Sequence, residues 1–172
     1  RPIPYPLSPL FTKSPGPKKT RSSGQQISGH GFSRPPAACT GENERRDLGY
    51  AETALAEPKS SKVLADYAEA QGFRVERGVA EMPTAFIATY GSGQPIIGIL
   101  GEFDALPGLS QKATPEKSPV TEGAPGHGCG HNLFGPASLG AATAIKELIQ
   151  QGKLKGTIRF YGTPAEESVG GK

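Results

Sequence analysis

The sequence has few cysteines for disulfides and no long apolar segment. It holds only two cysteines, Cys39 and Cys129, which are too few for a disulfide framework. No run approaches the roughly 18 consecutive apolar residues of a membrane helix. The first residues also lack the apolar core of a signal peptide. We therefore expect a cytoplasmic protein with no membrane partner.

Positive charge is scarce in the larger part of the chain. Residues 1–46 carry eight basic residues against two acidic ones, and eight of the 17 prolines. Residues 47–172 carry 11 basic residues against 14 acidic ones, so the formal net charge of +3 comes from the first segment. A nucleic-acid surface needs basic residues on a folded face, so we expect no such partner. The Pro-, Ser- and Gly-rich composition predicts a disordered tail over residues 1–46 and a folded domain over residues 47–172.

Three helices are predicted from spacing and from helix-end signals. The segment "DLGYAETAL" is predicted to form a short helix that ends before Pro58, because the residue before proline avoids the helical region. The segment "KSSKVLADYAEAQGF" is amphipathic, with Ser60 or Ser61 as cap and Gly72 at its end. A third helix is predicted over about Pro136–Gln151, with Pro136 in its first turn. Its buried stripe comprises Leu139, Ala142, Ile145 and Ile149.

Four segments have the composition of β-strands. They are "FRVERGV", "TAFIATY", "QPIIGILGEF" and "GTIRFYG". The third is nearly continuously apolar, as expected for a strand that is buried on both faces. The order of helices and strands predicts an α/β fold with parallel crossover connections, in which a mixed, mainly parallel sheet is flanked by helices.

Acidic residues follow two of these strands, and a glycine-rich segment opens the helix between them. Glu102 and Asp104 follow the third strand, and Glu166 and Glu167 follow the fourth. The segment "GAPGHGCGHNLFG" lies between them and contains two of the three histidines. Ligands of open α/β sheets bind beyond the carboxyl ends of the strands. We therefore expect these three segments to meet at one edge of the sheet.

The glycine-rich segment admits three interpretations. A dinucleotide loop needs G-x-G-x-x-G between a strand and a helix, but His131 occupies the third glycine position and no Gly-Lys-Ser/Thr is present. The second interpretation is a flexible turn without a chemical role. His127 is then an ordinary loop histidine, and the paired glutamates form an exposed acidic turn. Zinc is held by thiolate, imidazole and carboxylate, and a metal would relieve the repulsion between Glu166 and Glu167. Together with the placement at the sheet edge, this favours a metal hydrolase.

Four long motifs resemble one family of metallopeptidases. "GEFDALPGLSQ", "PGHGCGHNLFG" and "GTPAEESVGGK", in this order, resemble the zinc-dependent aminoacylase and carboxypeptidase family. They are most similar to its amidohydrolase branch, typified by aminobenzoyl-glutamate utilisation protein B and related dipeptidases, and "RVERGVAEMPTAFIATYGSG" fits the same branch. The resemblance covers about Leu48–Lys172 and leaves residues 1–46 outside it. It implies part of a phosphorylase/hydrolase-like catalytic domain.

The resemblance implies a role for each matching residue. Cys129, His131 and Glu167 match metal ligands, Glu166 matches the general base that takes a proton from water, and Asp104 matches the aspartate that supports a metal-binding group. His127 would lie beside the ligands. Most relatives outside the branch carry His at position 102 and Asp at position 132. Glu102 and Asn132 therefore receive no metal role.

The implied reaction is hydrolysis of an amide bond with the help of two divalent ions, zinc or manganese. Substrates would be small molecules, namely N-acyl amino acids, dipeptides or aminobenzoyl-glutamate, and the complete enzyme would be a homodimer. The chain ends five residues after the paired glutamates, at "ESVGGK". Because the family carries further ligands beyond this point, we expect a fragment that lacks the carboxy-terminal half and is inactive alone. A non-catalytic remnant that serves as an interaction or regulatory module is the alternative.

Overall fold

The computed structural model describes residues 50–172. The predicted disordered tail over residues 1–46, with Cys39, lies outside the described residues, as does the predicted domain boundary at residue 47. Within the described part, the helices are α1 (Pro58–Ala70), α2 (His131–Gln150) and the one-turn α3 (Glu166–Val169). The strands are β1 (Arg74–Arg77), β2 (Phe86–Ser92), β3 (Ile96–Glu102) and β4 (Gly156–Thr163). No helix among the described residues is long and apolar enough to cross a membrane.

The strands form one sheet in the order β1-β2-β4-β3. The predicted mixed sheet is confirmed, and β3 and β4 are parallel neighbours joined through α2. The other two pairs, β1–β2 and β2–β4, are antiparallel. The sheet of the described residues is therefore mixed without being mainly parallel. A parallel neighbour needs a crossover connection, and here only the link through α2 brings two neighbouring strands into parallel pairing.

Both long helices pack on the same face of the sheet. Their buried residues share one core cluster with alternate residues of β2 and β4. Phe86, Phe103 and Phe160 are the largest fully buried side chains of that cluster, and the Phe86 ring lies 5.6 Å from Phe160 and 6.4 Å from Phe103. The predicted stripe of α2 is confirmed, since Leu139 and Ala142 are buried and Ile145 and Ile149 pack against the core. This packing fixes the amino-terminal end of α2 beside the ends of β3 and β4.

Pro58 begins a helix where the sequence predicted that one ends. Residues 50–57 contain no helix, and α1 starts at Pro58 itself. Proline suits the first helical position because its missing N–H group would have no partner there. The predicted cap is also wrong, because Ser60 and Ser61 lie inside α1. The first turn of α1 is bound by Glu52 instead, because the Glu52 carboxylate accepts hydrogen bonds from the N–H and hydroxyl groups of Ser60.

Helix α2 starts five residues earlier than predicted. It begins at His131, so Pro136 lies inside the helix and not in its first turn. Gly130 precedes it with φ +92°, a backbone conformation that glycine adopts without strain. The helix therefore starts at one of the predicted metal ligands.

Among the described residues, β3 is an edge strand and is not buried on both faces. Ile97 is 52% exposed and Leu100 is 44% exposed. Its apolar run was the signal for a central strand, but among the described residues only β4 pairs with it. The carboxyl end of β3 is nevertheless well covered, because Glu102, Phe103 and Asp104 are all buried.

Candidate metal centre

The His131 imidazole is at the centre of the site and is 4% exposed. Its Nδ1 atom lies 3.0 Å from Oδ1 of Asp104 and 3.1 Å from the backbone oxygen of the same residue. Both oxygens belong to Asp104, so these two contacts hold the Nδ1 side of the ring against the end of β3. This contact crosses from the end of β3 to the start of α2. It joins two of the segments that the sequence placed at this edge.

The Nε2 side of the same ring faces other carboxylates. Nε2 lies 2.9 Å from Oε2 of Glu102 and 3.9 Å from Oε2 of Glu166. The Lys172 ammonium lies between these two glutamates, 2.7 Å from Glu102 and 2.9 Å from Glu166. This ammonium holds the pKa of Glu166 below its usual range, and the two carboxylates raise the pKa of Lys172. Glu166 is therefore ionised at neutral pH.

Glu167 lies on the Nδ1 side of the ring. Its backbone N–H donates to Oδ2 of Asp104 over 2.9 Å, and its Oε1 atom lies 3.7 Å from Nδ1 of His131. That Oε1 atom is buried and has no hydrogen-bond partner among the described residues. The Cys129 thiol is exposed and hydrogen-bonds to the Glu167 carboxylate, which raises the pKa of the thiol. A cation would satisfy the unpartnered oxygen and favour the thiolate.

The side chains form two donor groups that share His131. We call Cys129, His131 and Glu167 the thiol group, and Glu102, His131 and Glu166 the carboxylate group. In each group the ligand atoms lie within 4.8 Å of one another. Thiolate, imidazole and carboxylate together are a donor set that zinc accepts. The thiol group, with its unpartnered carboxylate oxygen, therefore fits a divalent metal ion.

The structure brings all five of the sequence-predicted site residues together: Cys129, His131, Glu167, Glu166 and Asp104. His127 and Asn132 belong to neither donor group. Sequence reasoning placed Glu102 at this edge without giving it a role, and it missed Lys172. It also missed Glu57, which holds the backbone before Glu166. A buried glutamate next to a helix-starting proline gives no sequence signal of that contact.

Residues 98–172 match the sequence profile of Peptidase family M20/M25/M40. This part of the chain belongs to the M20 peptidases. The match begins within β3 and includes every residue of both donor groups.

Relatives of the M20 family agree with this assignment. The chain is 50% identical to a subunit of the p-aminobenzoyl-glutamate hydrolase of Escherichia coli, over 70% of this chain and 25% of that protein. It is 32% identical to the N-acetylcysteine deacetylase of Bacillus subtilis, over 75% of this chain and 33% of that protein. The chain therefore spans about a quarter to a third of the length of these curated relatives.

A solved M20 structure has the same fold. The crystal structure of the Bacillus subtilis YXEP protein, described as a dinuclear metal binding peptidase, superposes with a TM-score of 0.62. The superposition covers 73% of this chain and 34% of that protein at 28% identity. The mixed sheet flanked by helices is thus the M20 architecture.

Proposed function

We propose that this chain supplies the metal-binding edge of a metal-dependent hydrolase of amide bonds. The observation that carries the proposal is the thiol group. Cys129, His131 and Glu167 bring three different donor types together, and one buried Glu167 oxygen has no hydrogen-bond partner among the described residues. Support also comes from relatives whose names describe hydrolysis or deacetylation of amides.

The proposal gives each residue a separate task. Cys129, His131 and Glu167 hold a divalent ion, zinc or manganese, and two ions occupy the complete site. Bound ions of this kind polarise an amide carbonyl and lower the pKa of water. Asp104 orients the His131 ring and the Glu167 backbone through the contacts at 3.0 Å and 2.9 Å. A carboxylate that orients a metal-binding histidine also makes the ring a better ligand.

Glu166 is the general base in this proposal. Its carboxylate is ionised, points at the His131 side of the site and is a quarter exposed, so water can reach it. It takes the proton of the attacking water and passes it to the leaving amine. Lys172 holds the charged form of Glu166 through their 2.9 Å contact.

The substrate class follows from the relatives alone. We propose N-acyl amino acids, dipeptides or aminobenzoyl-glutamate-like amides, acted on by a cytoplasmic homodimer. The two donor groups share one imidazole, and the carboxylate group is already paired with Lys172, so the described residues serve one ion. We therefore expect the 172-residue chain by itself to bind metal but to hydrolyse amides inefficiently. A role as a non-catalytic interaction module would instead leave the donor groups without a metal.

The test of catalysis uses a chimera. Residues 98–172 replace the matching segment of the Escherichia coli hydrolase, and hydrolysis of p-aminobenzoyl-glutamate is measured. Glu166→Gln in the chimera should lower kcat by about 10²–10⁴-fold, because a general base contributes that much. Binding of the first ion, at the thiol group, should stay unchanged. The matched control is Glu122→Gln, an exposed loop glutamate outside both donor groups. Full activity of the Glu166→Gln chimera, or activity that survives removal of the metal, would refute the assignment.

A further inference from the structure

We infer that Glu57 is a positioning residue, whose side chain holds the strained turn that presents Glu166 and Glu167. The role of that turn rests on the proposed function, whereas the contact itself is a property of the fold. Glu57 lies just before α1, more than a hundred residues away from the turn in sequence. Neither the family resemblance nor the spacing of the motifs assigns it a role.

The Glu57 carboxylate is fully buried and accepts three hydrogen bonds. Its Oε1 atom accepts the backbone N–H of Ala165 over 3.1 Å and that of Leu55 over 2.9 Å. Its Oε2 atom accepts the hydroxyl of Thr84 over 3.1 Å. Buried polar groups are costly unless they are hydrogen-bonded, so this arrangement is specific. One of its three partners is the residue directly before the proposed general base.

Ala165 needs such a partner because its backbone is strained. It has φ +58° and ψ +32°, which is the left-handed region that residues with a Cβ atom rarely adopt. It is also fully buried, so water cannot satisfy its N–H group. Non-glycine residues keep this conformation only where the surroundings impose it. The Glu57 carboxylate is the side chain that binds this N–H group.

The same segment also holds the other side of the site. The backbone oxygen of Glu52 accepts the N–H of Ala105 over 2.8 Å, directly after Asp104. The Glu52 carboxylate in turn binds Ser60 in the first turn of α1. Residues 52–57 therefore tie the end of β3 and the turn after β4 to the start of α1. Glu57 supplies the link on the side of Glu166 and Glu167.

The contact requires length and an oxygen acceptor but not charge. Burial raises the pKa of Glu57, so the neutral form is tolerated. Glu57→Gln keeps an oxygen for the Ala165 and Leu55 N–H groups, and its amide can donate to the Thr84 hydroxyl. Glu57→Asp keeps the charge but is one methylene shorter, and it cannot reach Ala165 without moving the backbone. Comparing the two substitutions therefore shows whether the contact depends on the length of the side chain or on its charge.

Residue-resolved amide hydrogen exchange of the metal-free chain tests the contact directly. In Glu57→Asp the Ala165 amide should exchange about tenfold faster or more, as expected for the loss of one buried hydrogen bond. In Glu57→Gln and in Thr84→Val it should stay within about threefold of the wild type. Thr84→Val is the matched control, because it removes a partner of Glu57 other than Ala165. Unchanged exchange at Ala165 in Glu57→Asp, or equally faster exchange throughout β4 and α2, would overturn a local positioning role.

Cobalt binding tests the consequence for the site. Glu57→Asp should weaken the Co²⁺ affinity about tenfold, and Glu57→Gln should restore it. In a Glu167→Gln background, Glu57→Asp should have no further effect, because the positioned ligand is already gone. Additive losses in that cycle would show that Glu57 does not act through Glu167. Absence of Co²⁺ binding by the wild-type chain would refute the proposed function instead, while the exchange measurement would still decide the contact.

Discussion

The two donor groups share the His131 ring but differ in what fills them. The thiol group combines three kinds of donor and leaves Oε1 of Glu167 without a hydrogen-bond partner among the described residues. On the Nε2 side, the carboxylate group already holds a cation, because the Lys172 ammonium lies within 2.9 Å of both glutamates. A site with unsatisfied donors gains more from a metal ion than a site whose charge is already compensated. We therefore expect the thiol group to bind the first ion.

The largest effect should come from removing a ligand of the thiol group. Cys129→Ala and Glu167→Ala should each weaken zinc affinity by more than the roughly 10–100-fold that the loss of a supporting partner costs. The comparison variant is Glu102→Gln, which removes a carboxylate of the carboxylate group but keeps a polar side chain beside Nε2 of His131, and it should change the affinity less than about threefold. Isothermal titration of the three variants measures this. Equal losses in all three would erase the distinction between the groups.

Asp104 should matter nearly as much as a ligand. Asp104→Asn keeps one oxygen but cannot accept both the His131 ring and the Glu167 N–H group through carboxylate oxygens. Zinc affinity should fall by about 10–100-fold. Asp66→Asn on α1, an aspartate in exposed ion pairs, is the control and should leave the affinity unchanged. An unaffected Asp104→Asn chain would mean that the ring needs no support from this residue.

Lys172→Met should change metal binding by the carboxylate group. Without the ammonium, Glu102 and Glu166 are two neighbouring uncompensated carboxylates, so the carboxylate group should bind a second divalent ion about tenfold more tightly. Lys153→Met, an exposed lysine without a described ion pair, should have no effect. The measurement is the affinity of the second binding step in a zinc titration. A second step that weakens or stays constant would show that Lys172 does not compete with metal.

The smallest effect concerns the reactivity of the free thiol. Glu167 raises the pKa of Cys129, so less thiolate is present at a given pH, and Glu167→Gln should move the alkylation profile to lower pH. The rate at neutral pH should rise several-fold in a Cys39→Ser chain, with Glu122→Gln as the unaffected control. A profile that does not move would place the Glu167 charge too far from the thiol to matter.

Sequence reasoning succeeded where the signal is local. The strands, the stripe of α2 and the meeting of Asp104, His131 and Glu167 at one sheet edge follow from hydrophobic period and from the order of the elements. The apolar run of β3 misled, because composition reports how apolar a strand is and not how many neighbours it has. The prediction that a helix ends before Pro58 was wrong for a related reason, because proline is compatible with both the end and the start of a helix.

The missed features depend on contacts between distant residues. Glu57 and Ala165 are 108 positions apart, and nothing in either local sequence indicates the other. Lys172 reaches Glu102 across 70 positions, from a glycine-rich stretch that predicts no particular direction. Such contacts follow from the packed fold and not from periodicity. Glu57, which holds the backbone of the acidic turn, and Lys172, which compensates its negative charge, were therefore identified only from the structure.

A cobalt titration of the Cys39→Ser chain tests the central claim most directly. Co²⁺ bound by the thiol group should give an intense sulfur-to-metal charge-transfer absorption, because Cys129 is then the only sulfhydryl of the chain. The absorption should saturate with the first equivalent and should disappear in Cys129→Ser. Tight Co²⁺ binding without this absorption would place the first ion in the carboxylate group and would contradict the account.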